Sequence, residues 1–300
     1  MGTPQFAVPV LQALIDHPQI EVVGAVTAPD RVSSNGLAEP SPIKQLALEK
    51  NIAVFQPERI RKNLEFFAQM EVLSIDLMVV AAYGKILPQE ILDLPKYGAI
   101  NIHPSVLPKY RGASPVVGAI LAGDKETGVT IIKMTAEMDA GDIIAMIEKV
   151  PVQETDTALA LIHKLFEEGA ALLSKIIIPY VENELTPIPQ NENLATYVKL
   201  LNKEDGRINW SEDPALIERK IRAYQPWPSA YTTWNGQMVK IIQAEVDNSI
   251  QNPSAQIAII NKDLYIGNLK ILRLQLAGKK VVTGREFAGS YPQIAGQTVL

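Results

Sequence analysis

GAINIHPSVLPKYRGASPV, residues Gly98 to Val116, determines more of the fold than any other stretch of this chain. It opens with the apolar residues of a short strand, and Pro104 then interrupts the strand, so a loop leaves the sheet at this point. Side chains two apart on a strand project to the same face, which places Asn101 and His103 side by side at the strand end. Open α/β sheets bind their ligands at such ends. The pair is therefore a candidate site, although a strand-end His beside an Asn is more often a hydrogen-bonded structural residue.

Apolar runs of strand length alternate with helical patterns along the N-terminal part of the chain. Residues 76–82, DLMVVAA, have the continuous apolar character of a parallel strand that is covered on both faces. Strands alternating with helices are typical of βαβ units. The expected fold class is therefore α/β, with a doubly wound, mostly parallel sheet. Further strands are expected at 20–27, 52–55, 128–134 and 143–152, and helices at 43–50, 59–70, 114–122 and about 155–180.

The C-terminal part of the chain carries a different pattern. Residues 182–206 begin with a polar, proline-containing stretch, which marks a linker. Short strands dominate beyond it, and Asn235-Gly236 between two apolar runs is a strong hairpin signal. We therefore expect a first domain over 1–181 and a small antiparallel β-barrel domain over 207–300.

The composition excludes several classes of site. The 300 residues include no cysteine, which removes disulfides, thiolate metal ligands and thiol nucleophiles. The three histidines form no His-x-x-x-His pair, so we expect no metal site. No apolar run reaches the roughly 18 residues that span a bilayer, and the N-terminus lacks a secretory pattern. We therefore expect a cytoplasmic protein that binds no membrane.

The net charge of −5 is divided unevenly along the chain. Residues 1–189 carry 15 Lys and Arg against 23 Asp and Glu, a charge of −8, whereas residues 190–300 carry 13 against 10, a charge of +3. An acidic half suits a small-molecule site, and a basic half can contact phosphates. Ordinary variation in charge explains the same numbers equally well.

The central stretch resembles the signature of the folate-dependent formyltransferases. That signature has Asn-x-His, then Ser-x-Leu-Pro, then Tyr-Arg-Gly and, further on, Asp-x-Gly-Asp. The corresponding residues here are Asn101-Ile102-His103, Ser105-Val106-Leu107-Pro108, Tyr110-Arg111-Gly112 and Asp139-Ala140-Gly141-Asp142. The resemblance implies the formyltransferase fold, 10-formyltetrahydrofolate as the formyl donor, no metal, and a C-terminal barrel of the OB-like kind.

The resemblance also implies three catalytic residues, Asn101, His103 and Asp142. Formyl transfer to an amine passes through a tetrahedral intermediate with a negative oxygen, which needs hydrogen-bond donors and a route for protons. Asn101 and a protonated His103 would donate to that oxygen. Asp142 would raise the pKa of the imidazole and accept a proton from the attacking amine. Taken alone, an Asp after a Gly is usually a turn residue.

Two loops are expected to bind the donor. The run from Tyr83 to Pro88 resembles the family's loop that lines the pterin pocket, where apolar side chains pack on the ring. A simple turn into a short helix at 89–92 explains the same residue types equally well. The expected donor-binding residues are Tyr83, Ile86 and Leu87 in this loop and Ser105, Val106, Leu107 and Pro108 after the catalytic strand.

The catalytic motifs do not select the amine that accepts the formyl group. Other features favour the branch of the family that formylates the α-amino group of initiator methionyl-tRNA for translation initiation, and we expect a monomer. The alternatives are a formyltransferase acting on a nucleotide-sugar amine and a non-catalytic RNA-binding relative. The favouring features are the Gly2-Thr3-Pro4 start, the loop from Pro29-Asp30-Arg31 to Pro40-Ser41-Pro42, and the barrel's Arg207-Ile208-Asn209-Trp210 and Pro226-Trp227-Pro228 runs.

The predicted substrate loop, residues 28–42, departs from the family pattern. Residues 32–39 carry no positive charge, whereas the family usually has several Lys and Arg here, so we expect this loop to contribute little to tRNA binding. All three Trp residues fall in the C-terminal domain. Base stacking is one use for them, and core packing is the commoner one.

The first residues of the chain resemble a turn that follows a strand. In the family, Gly-Thr-Pro follows an apolar first strand at a central position of the sheet, and here Met1 alone precedes Gly2. A missing central strand would leave unpaired backbone groups on two neighbouring strands. We therefore expect that the recorded sequence lacks the first strand and that Met1 stands at its end.

Overall fold

The computed structural model describes residues 1–32 and 38–300, and within them the chain forms two compact units. Each unit is built from segments that are distant in sequence. The predicted linker and the domain boundaries on either side of it stay a prediction. The first unit comprises Met1–Pro115, Glu126–Pro151 and Ile162–Val198, and the second comprises Val116–Lys125, Val152–Leu161 and Lys199–Leu300.

The first unit contains helices and strands that alternate along much of the chain. Its helices are α1 (Val8–Asp16), α2 (Pro42–Glu49), α3 (Leu64–Val72) and α4 (Gln89–Leu92), while α5 (Pro115–Ala122) and α6 (Ala158–Val181) carry residues of both units. Its strands are β1 (Ala25–Val26), β2 (Arg31–Val32), β3 (Ala38–Glu39), β4 (Val54–Phe55), β5 (Met78–Val80), β6 (Ala99–His103), β7 (Arg111–Gly112), β8 (Glu126–Lys133), β9 (Ile143–Pro151) and β10 (Tyr197–Val198). Across residues 1–32 and 38–300, no helix combines the length and the apolar character that crossing a bilayer requires.

The main sheet has the strand order β5-β6-β8-β9 and is mixed. β5 runs parallel to β6, whereas β8 runs antiparallel to both β6 and β9. Only the nine residues 134–142 join β8 to β9, whereas a crossover between parallel strands needs about a dozen or more. The prediction of a mostly parallel sheet is therefore wrong for this half, while β1 and β4 form a parallel pair as expected.

Residues 1 and 2 lie between the β1-β4 pair and the main sheet. The Met1 amino nitrogen donates to the Val79 carbonyl at 2.5 Å, and the Gly2 amide donates to the Val26 carbonyl at 2.9 Å. A cavity of about 770 Å³ lies beside them, lined largely by apolar residues within 19–26 and 73–79. Within the described residues, the strand predicted over 20–27 is paired only at Ala25–Val26, and its earlier residues line this cavity. The expectation of an absent first strand concerns this position and stays a prediction.

Helices cover both faces of the main sheet and so determine which way the β6 side chains point. Ile100 and Ile102 pack in a core cluster with residues of α1, α2 and α6. Ala99 packs in a second cluster with residues of α3 and α4. Because side chains alternate along a strand, Asn101 and His103 point to the same side as Ala99. β6 therefore presents the predicted pair on one face, at its C-terminal end.

The second unit is built on an antiparallel sheet of six strands in the order β11-β12-β15-β14-β13, with β16 beside β15. The predicted hairpin at Asn235-Gly236 is confirmed, and both residues have the positive φ, 49° and 74°, of a tight hairpin turn. Its strands are β11 (Tyr231–Trp234), β12 (Gln237–Val246), β13 (Ile257–Ile260), β14 (Asp263–Ile266), β15 (Leu269–Leu276) and β16 (Val281–Thr283), and its helices are α7 (Pro214–Ala223) and α8 (Gly284–Ser290).

The three Trp residues have different surroundings. Trp210 and Trp234 belong to the core of the second unit, and their indole nitrogens donate to Thr232 Oγ1 at 2.9 Å and Gln297 Oε1 at 2.8 Å. Trp227 is 55% exposed. Core packing therefore accounts for two of the indoles, and Trp227 is available to a partner.

Candidate active site

His103 ends strand β6, where its Nε2 is hydrogen-bonded and its Nδ1 faces a carboxylate. Its side chain is 4% exposed, with Nε2 at 3.0 Å from the Tyr110 carbonyl oxygen and Nδ1 at 3.6 Å from Asp139 Oδ1. A carbonyl oxygen only accepts hydrogen bonds, so Nε2 carries a proton. In the neutral imidazole, Nδ1 is then an unprotonated nitrogen that faces a carboxylate. The pair is therefore arranged to take up one proton between them.

The protonation of His103 is governed by burial. Burial lowers the pKa of His103, and the Asp139 carboxylate and the bond to Tyr110 oppose that effect without reversing it. The sequence predicts the opposite direction, a raised pKa and a protonated ring that donates to the substrate oxygen. The structure favours the lowered pKa, because a buried imidazolium loses more hydration than one nearby carboxylate restores, and the donating, protonated ring stays a prediction. His103 is neutral at pH 7 and is suited to accept a proton.

The carboxylate beside His103 belongs to Asp139, where the sequence predicts Asp142. Asp139 Oδ2 accepts from the Gly112 amide at 2.8 Å, which aims the other oxygen at the imidazole. Within the described residues, the carboxylate that faces the His103 imidazole is that of Asp139 and not that of Asp142. The Asp142 carbonyl instead accepts from the Lys133 amide at 2.9 Å, where β9 begins. The carboxylate beside His103 is therefore that of Asp139, and the catalytic role expected for Asp142 stays a prediction.

Asn101 has the placement predicted for a substrate-binding amide. Its backbone is paired on both sides, with Val80 of β5 and Ile132 of β8. Its side chain is half-buried, and no hydrogen bond to it occurs among the residues that the structure describes. A fixed backbone and an uncommitted amide suit a group that donates to a ligand.

The loop after β6 is held by its own side chains. Ser105 Oγ donates to the Lys109 carbonyl at 2.7 Å, and Ser105 and Leu107 are both buried. Thr130 Oγ1 on β8 donates to the Ser105 carbonyl at 2.7 Å and accepts from the Leu107 amide at 3.1 Å. Ser105 and Leu107 therefore shape the loop, while the partly exposed Val106 and Pro108 are open to a ligand. Sequence reasoning missed Thr130, which lies on another strand.

The second predicted donor-binding loop offers an apolar surface and one unsatisfied hydroxyl. Ile86 is 79% exposed, whereas Leu87 packs in the core. The Tyr83 hydroxyl is buried without a hydrogen-bond partner in the described part of the chain, and burial raises the pKa of Tyr83 to about 12. Lys85 Nζ donates to the carbonyls of Pro57 and Glu58 at 2.7 and 2.8 Å and so anchors the loop.

The predicted substrate loop, 28–42, is described only in part, because residues 33–37 lie outside the described residues. Its two ends pair as the β2-β3 hairpin. Asp30 at the base accepts from Lys44 Nζ at 2.6 Å and from Gln56 Nε2 at 2.7 Å. The base of this loop is therefore fixed to α2 and to the segment after β4.

The residues predicted as linker lie partly against the site. β10 pairs in parallel with β7, which holds Arg111 and Gly112 between the His103 and Asp139 contacts. In residues 1–32 and 38–300, no group of three or more His, Asp or Glu side chains is placed to hold a metal ion. The site is therefore an imidazole, a carboxylate and an amide, with a supporting segment that sequence reasoning assigned no role.

Comparisons with known proteins identify formyltransferases over nearly the whole chain. Residues 1–177 match the family described as formyl transferase, and residues 200–292 match the formyl transferase C-terminal domain. The methionyl-tRNA formyltransferase of Caldanaerobacter subterraneus subsp. tengcongensis is 41% identical over 293 residues, which cover 96% of this chain and 94% of that protein. The protein of the same name from Halalkalibacterium halodurans is 41% identical over 309 residues, covering 100% and 96%.

Solved structures add a likeness of fold. The crystal structure of the N-formyltransferase from Helicobacter canadensis, in complex with folinic acid and dTDP-3-aminofucose, superimposes with a TM-score of 0.65 at 20% sequence identity. The match covers 90% of this chain and 96% of that one. The architecture of both units therefore recurs in proteins of much lower sequence identity.

Proposed function

This chain belongs to the formyl transferase family, and we propose that it transfers the formyl group of 10-formyltetrahydrofolate to the α-amino group of initiator methionyl-tRNA. The observation that carries the proposal is the buried His103–Asp139 pair beside the uncommitted amide of Asn101. The relatives at 41% identity are methionyl-tRNA formyltransferases and align along almost the whole chain, which supports this acceptor.

The three side chains divide the chemistry between them. The α-amino nitrogen bonds to the formyl carbon, and Asn101 donates to the carbonyl oxygen as that oxygen becomes negative. His103, which is neutral and has Nδ1 directed at Asp139, accepts the proton that the amine loses. The bond from the formyl carbon to the donor nitrogen then breaks, and the same proton can pass to that nitrogen. Asp139 stabilises the imidazolium between the two transfers.

The donor is proposed to bind beside this trio. Ile86 is an exposed apolar side chain in the loop after β5, and the buried Tyr83 hydroxyl has no hydrogen-bond partner in the described residues, so both fit a flat heterocycle with polar edges. Val106 and Pro108 are the partly exposed members of the loop after β6. Ser105, Leu107 and Leu87 serve the same site by holding the two loops in shape.

The second unit is proposed to bind the tRNA. Its antiparallel sheet closes, in this proposal, as an OB-like barrel. Residues 199–300 carry 13 Lys and Arg against 9 Asp and Glu, and this charge of +4 supplies attraction for phosphates. Trp227 offers an exposed ring on which a base can stack. We further propose that the protein acts in the cytoplasm as a monomer, which light scattering at micromolar concentration would test.

A single assay tests the acceptor. The protein is incubated with 10-formyltetrahydrofolate and either methionyl-initiator-tRNA or an amino-sugar nucleotide, and the formylated product is identified by mass spectrometry. Formylation of the tRNA alone is expected. Formylation of the sugar amine alone would assign the chain to the sugar branch. Binding of tRNA with no transfer to either amine would indicate a non-catalytic relative.

A further inference from the structure

We propose that Arg111, Gln190 and Glu192 are positioning residues that set the distance between Asp139 and His103 and thereby the rate of formyl transfer. The proposal rests on the proposed function of the His103–Asp139 pair. It assigns a role to a segment, residues 190–198, that lies beyond the catalytic motifs and within the predicted linker.

Arg111 is a buried cation whose guanidinium is fully engaged by this segment. The residue is 1% exposed, and it donates to Glu192 through two bonds of 2.7 and 2.8 Å. It also donates to Gln190 Oε1 through two bonds of 2.8 and 3.1 Å, and to the Tyr197 hydroxyl at 3.2 Å. A guanidinium with this many fixed partners has one orientation, so it can orient the groups that accept from it.

Gln190 connects the fixed Arg111 guanidinium to the loop that carries Asp139. Because Oε1 accepts from Arg111, the amide nitrogen must point the other way. It donates to the Asp139 carbonyl at 2.8 Å and to the Gly141 carbonyl at 2.7 Å. The backbone of Asp139 is also in the left-handed region, with φ of 54°. Two bonds from one amide therefore hold a turn that would be costly to keep without support.

The residues on either side of Arg111 hold the two reacting groups. The Tyr110 carbonyl accepts from the His103 imidazole at 3.0 Å, and the Gly112 amide donates to Asp139 Oδ2 at 2.8 Å. Residues 196–198 fix this three-residue run, because the Arg111 amide donates to the Thr196 carbonyl at 2.8 Å and the Ala113 amide donates to the Val198 carbonyl at 3.2 Å. A shift of the Arg111 backbone or of Gln190 therefore changes the imidazole–carboxylate distance directly.

Glu192 supplies the charge that lets Arg111 stay buried. Its side chain is 66% exposed, and the Arg111 guanidinium lowers the pKa of Glu192. Removing Glu192 leaves an unpaired buried cation, so its variants risk misfolding. Gln190 is neutral and therefore gives the cleaner test. The charged residues on the elements and loops around His103 are Lys109, Arg111, Glu126, Lys133, Asp139, Asp142 and Glu192.

The test uses Gln190→Met, which keeps the length of the side chain but loses every hydrogen bond, and Gln190→Glu, which keeps the acceptor for Arg111 and loses both donors. A misplacement of about 1 Å can cost on the order of a hundredfold in rate, so we expect kcat to fall about tenfold to a hundredfold. The KM values for tRNA and donor should change less than about threefold, since neither variant removes a substrate contact. Gln69→Glu makes the same chemical change at an exposed position of α3 to which no catalytic or binding role is assigned, so it is the matched control and should keep wild-type rates.

A second measurement separates this proposal from the proposed function. The protein has three histidines, so the His103 imidazole can be followed by NMR titration whether or not formyl transfer occurs. If Gln190 positions Asp139, the pKa of His103 falls by about half a unit or more in Gln190→Met, because the carboxylate moves away. An inactive wild type with this shift would overturn the function and keep the positioning role. An unchanged pKa, or a lower melting temperature with wild-type kcat, would overturn the positioning role.

Discussion

Replacing Asp139 by Asn tests the site most directly, because it removes one charge and little volume. Oδ1 lies 3.6 Å from His103 Nδ1, and the two side chains are 15% and 4% exposed. At this distance and an effective dielectric constant of about 20, a carboxylate stabilises an imidazolium by about 5 kcal/mol. One pH unit corresponds to about 1.4 kcal/mol, so losing the carboxylate lowers the pKa of His103 by at most about three units.

The direction of the pH effect depends on which protonation state of His103 is active. Neutral His103 accepts the proton, so kcat/KM rises with pH as the His103–Asp139 pair loses its proton. In Asp139→Asn, burial lowers the pKa of His103 without an opposing carboxylate, and the acidic limb therefore moves to lower pH by about one to three units. The plateau falls about a hundredfold, because the remaining imidazole is a weaker base and its cation is no longer stabilised.

Asp142→Asn is the matched control, the same chemical change three residues along the chain. Initial rates of methionyl-tRNA formylation from pH 5 to 9 for both variants and the wild type give the two profiles. We expect Asp142→Asn to keep its acidic limb and to lose less than about fivefold, because within the described residues its carboxylate makes no ion pair with His103. A larger loss in Asp142→Asn than in Asp139→Asn would contradict this reasoning and restore Asp142 as the catalytic carboxylate.

Three further outcomes are expected. Asn101→Ala should lower turnover at least about a hundredfold with an unchanged melting temperature, as for loss of one oxyanion donor, and near-wild-type turnover would remove Asn101 from the mechanism. Leu165→Ala, at a fully buried position of α6, should lower the free energy of unfolding, measured in urea, by about 2–5 kcal/mol. Leu159→Ala, at a position 43% exposed on the same helix, should lower that free energy far less. Equal decreases in the two variants would contradict the assigned core. Neutralising Lys279 and Lys280, exposed between β15 and β16, with Gln should reduce the slope of log affinity for tRNA against log salt by up to about 2, and an unchanged slope would place the phosphate contacts elsewhere.

The features that could be predicted from the sequence are those with local causes. The helix expected at 43–50 is α2, Pro42–Glu49, whose N-cap Ser41 accepts from the Lys44 amide at 3.1 Å. The Asn235-Gly236 hairpin also depends only on neighbouring residues. Asn101 and His103 share one face because alternation along a strand needs no knowledge of the rest of the fold. Helix capping, turn residues and strand alternation could therefore be predicted correctly from the local sequence.

The features that could not be predicted depend on pairings between distant parts of the chain. β8 carries an apolar run that suits a parallel or an antiparallel strand, and only its partners β6 and β9 decide the direction. The Asp-x-Gly-Asp turn contains two carboxylates, and its spacing does not show which one faces the imidazole. The answer depends on the amide of Gly112, 27 residues earlier, which binds Asp139.

Arg111 shows why the full extent of the site could not be predicted from the sequence either. An arginine in a polar loop is ordinarily expected at the surface, because burying its charge requires a partner. Its partners Gln190, Glu192 and Tyr197 follow 79, 81 and 86 residues later, in a stretch whose prolines and polar residues predict a linker. Gln190 also donates to the carbonyls of Asp139 and Gly141 and so holds the turn that carries Asp139. The site therefore includes residues that follow α6 in the chain. By packing, the first unit therefore includes the chain as far as Val198, and residues 190–198 belong with Arg111 and not with a separate linker.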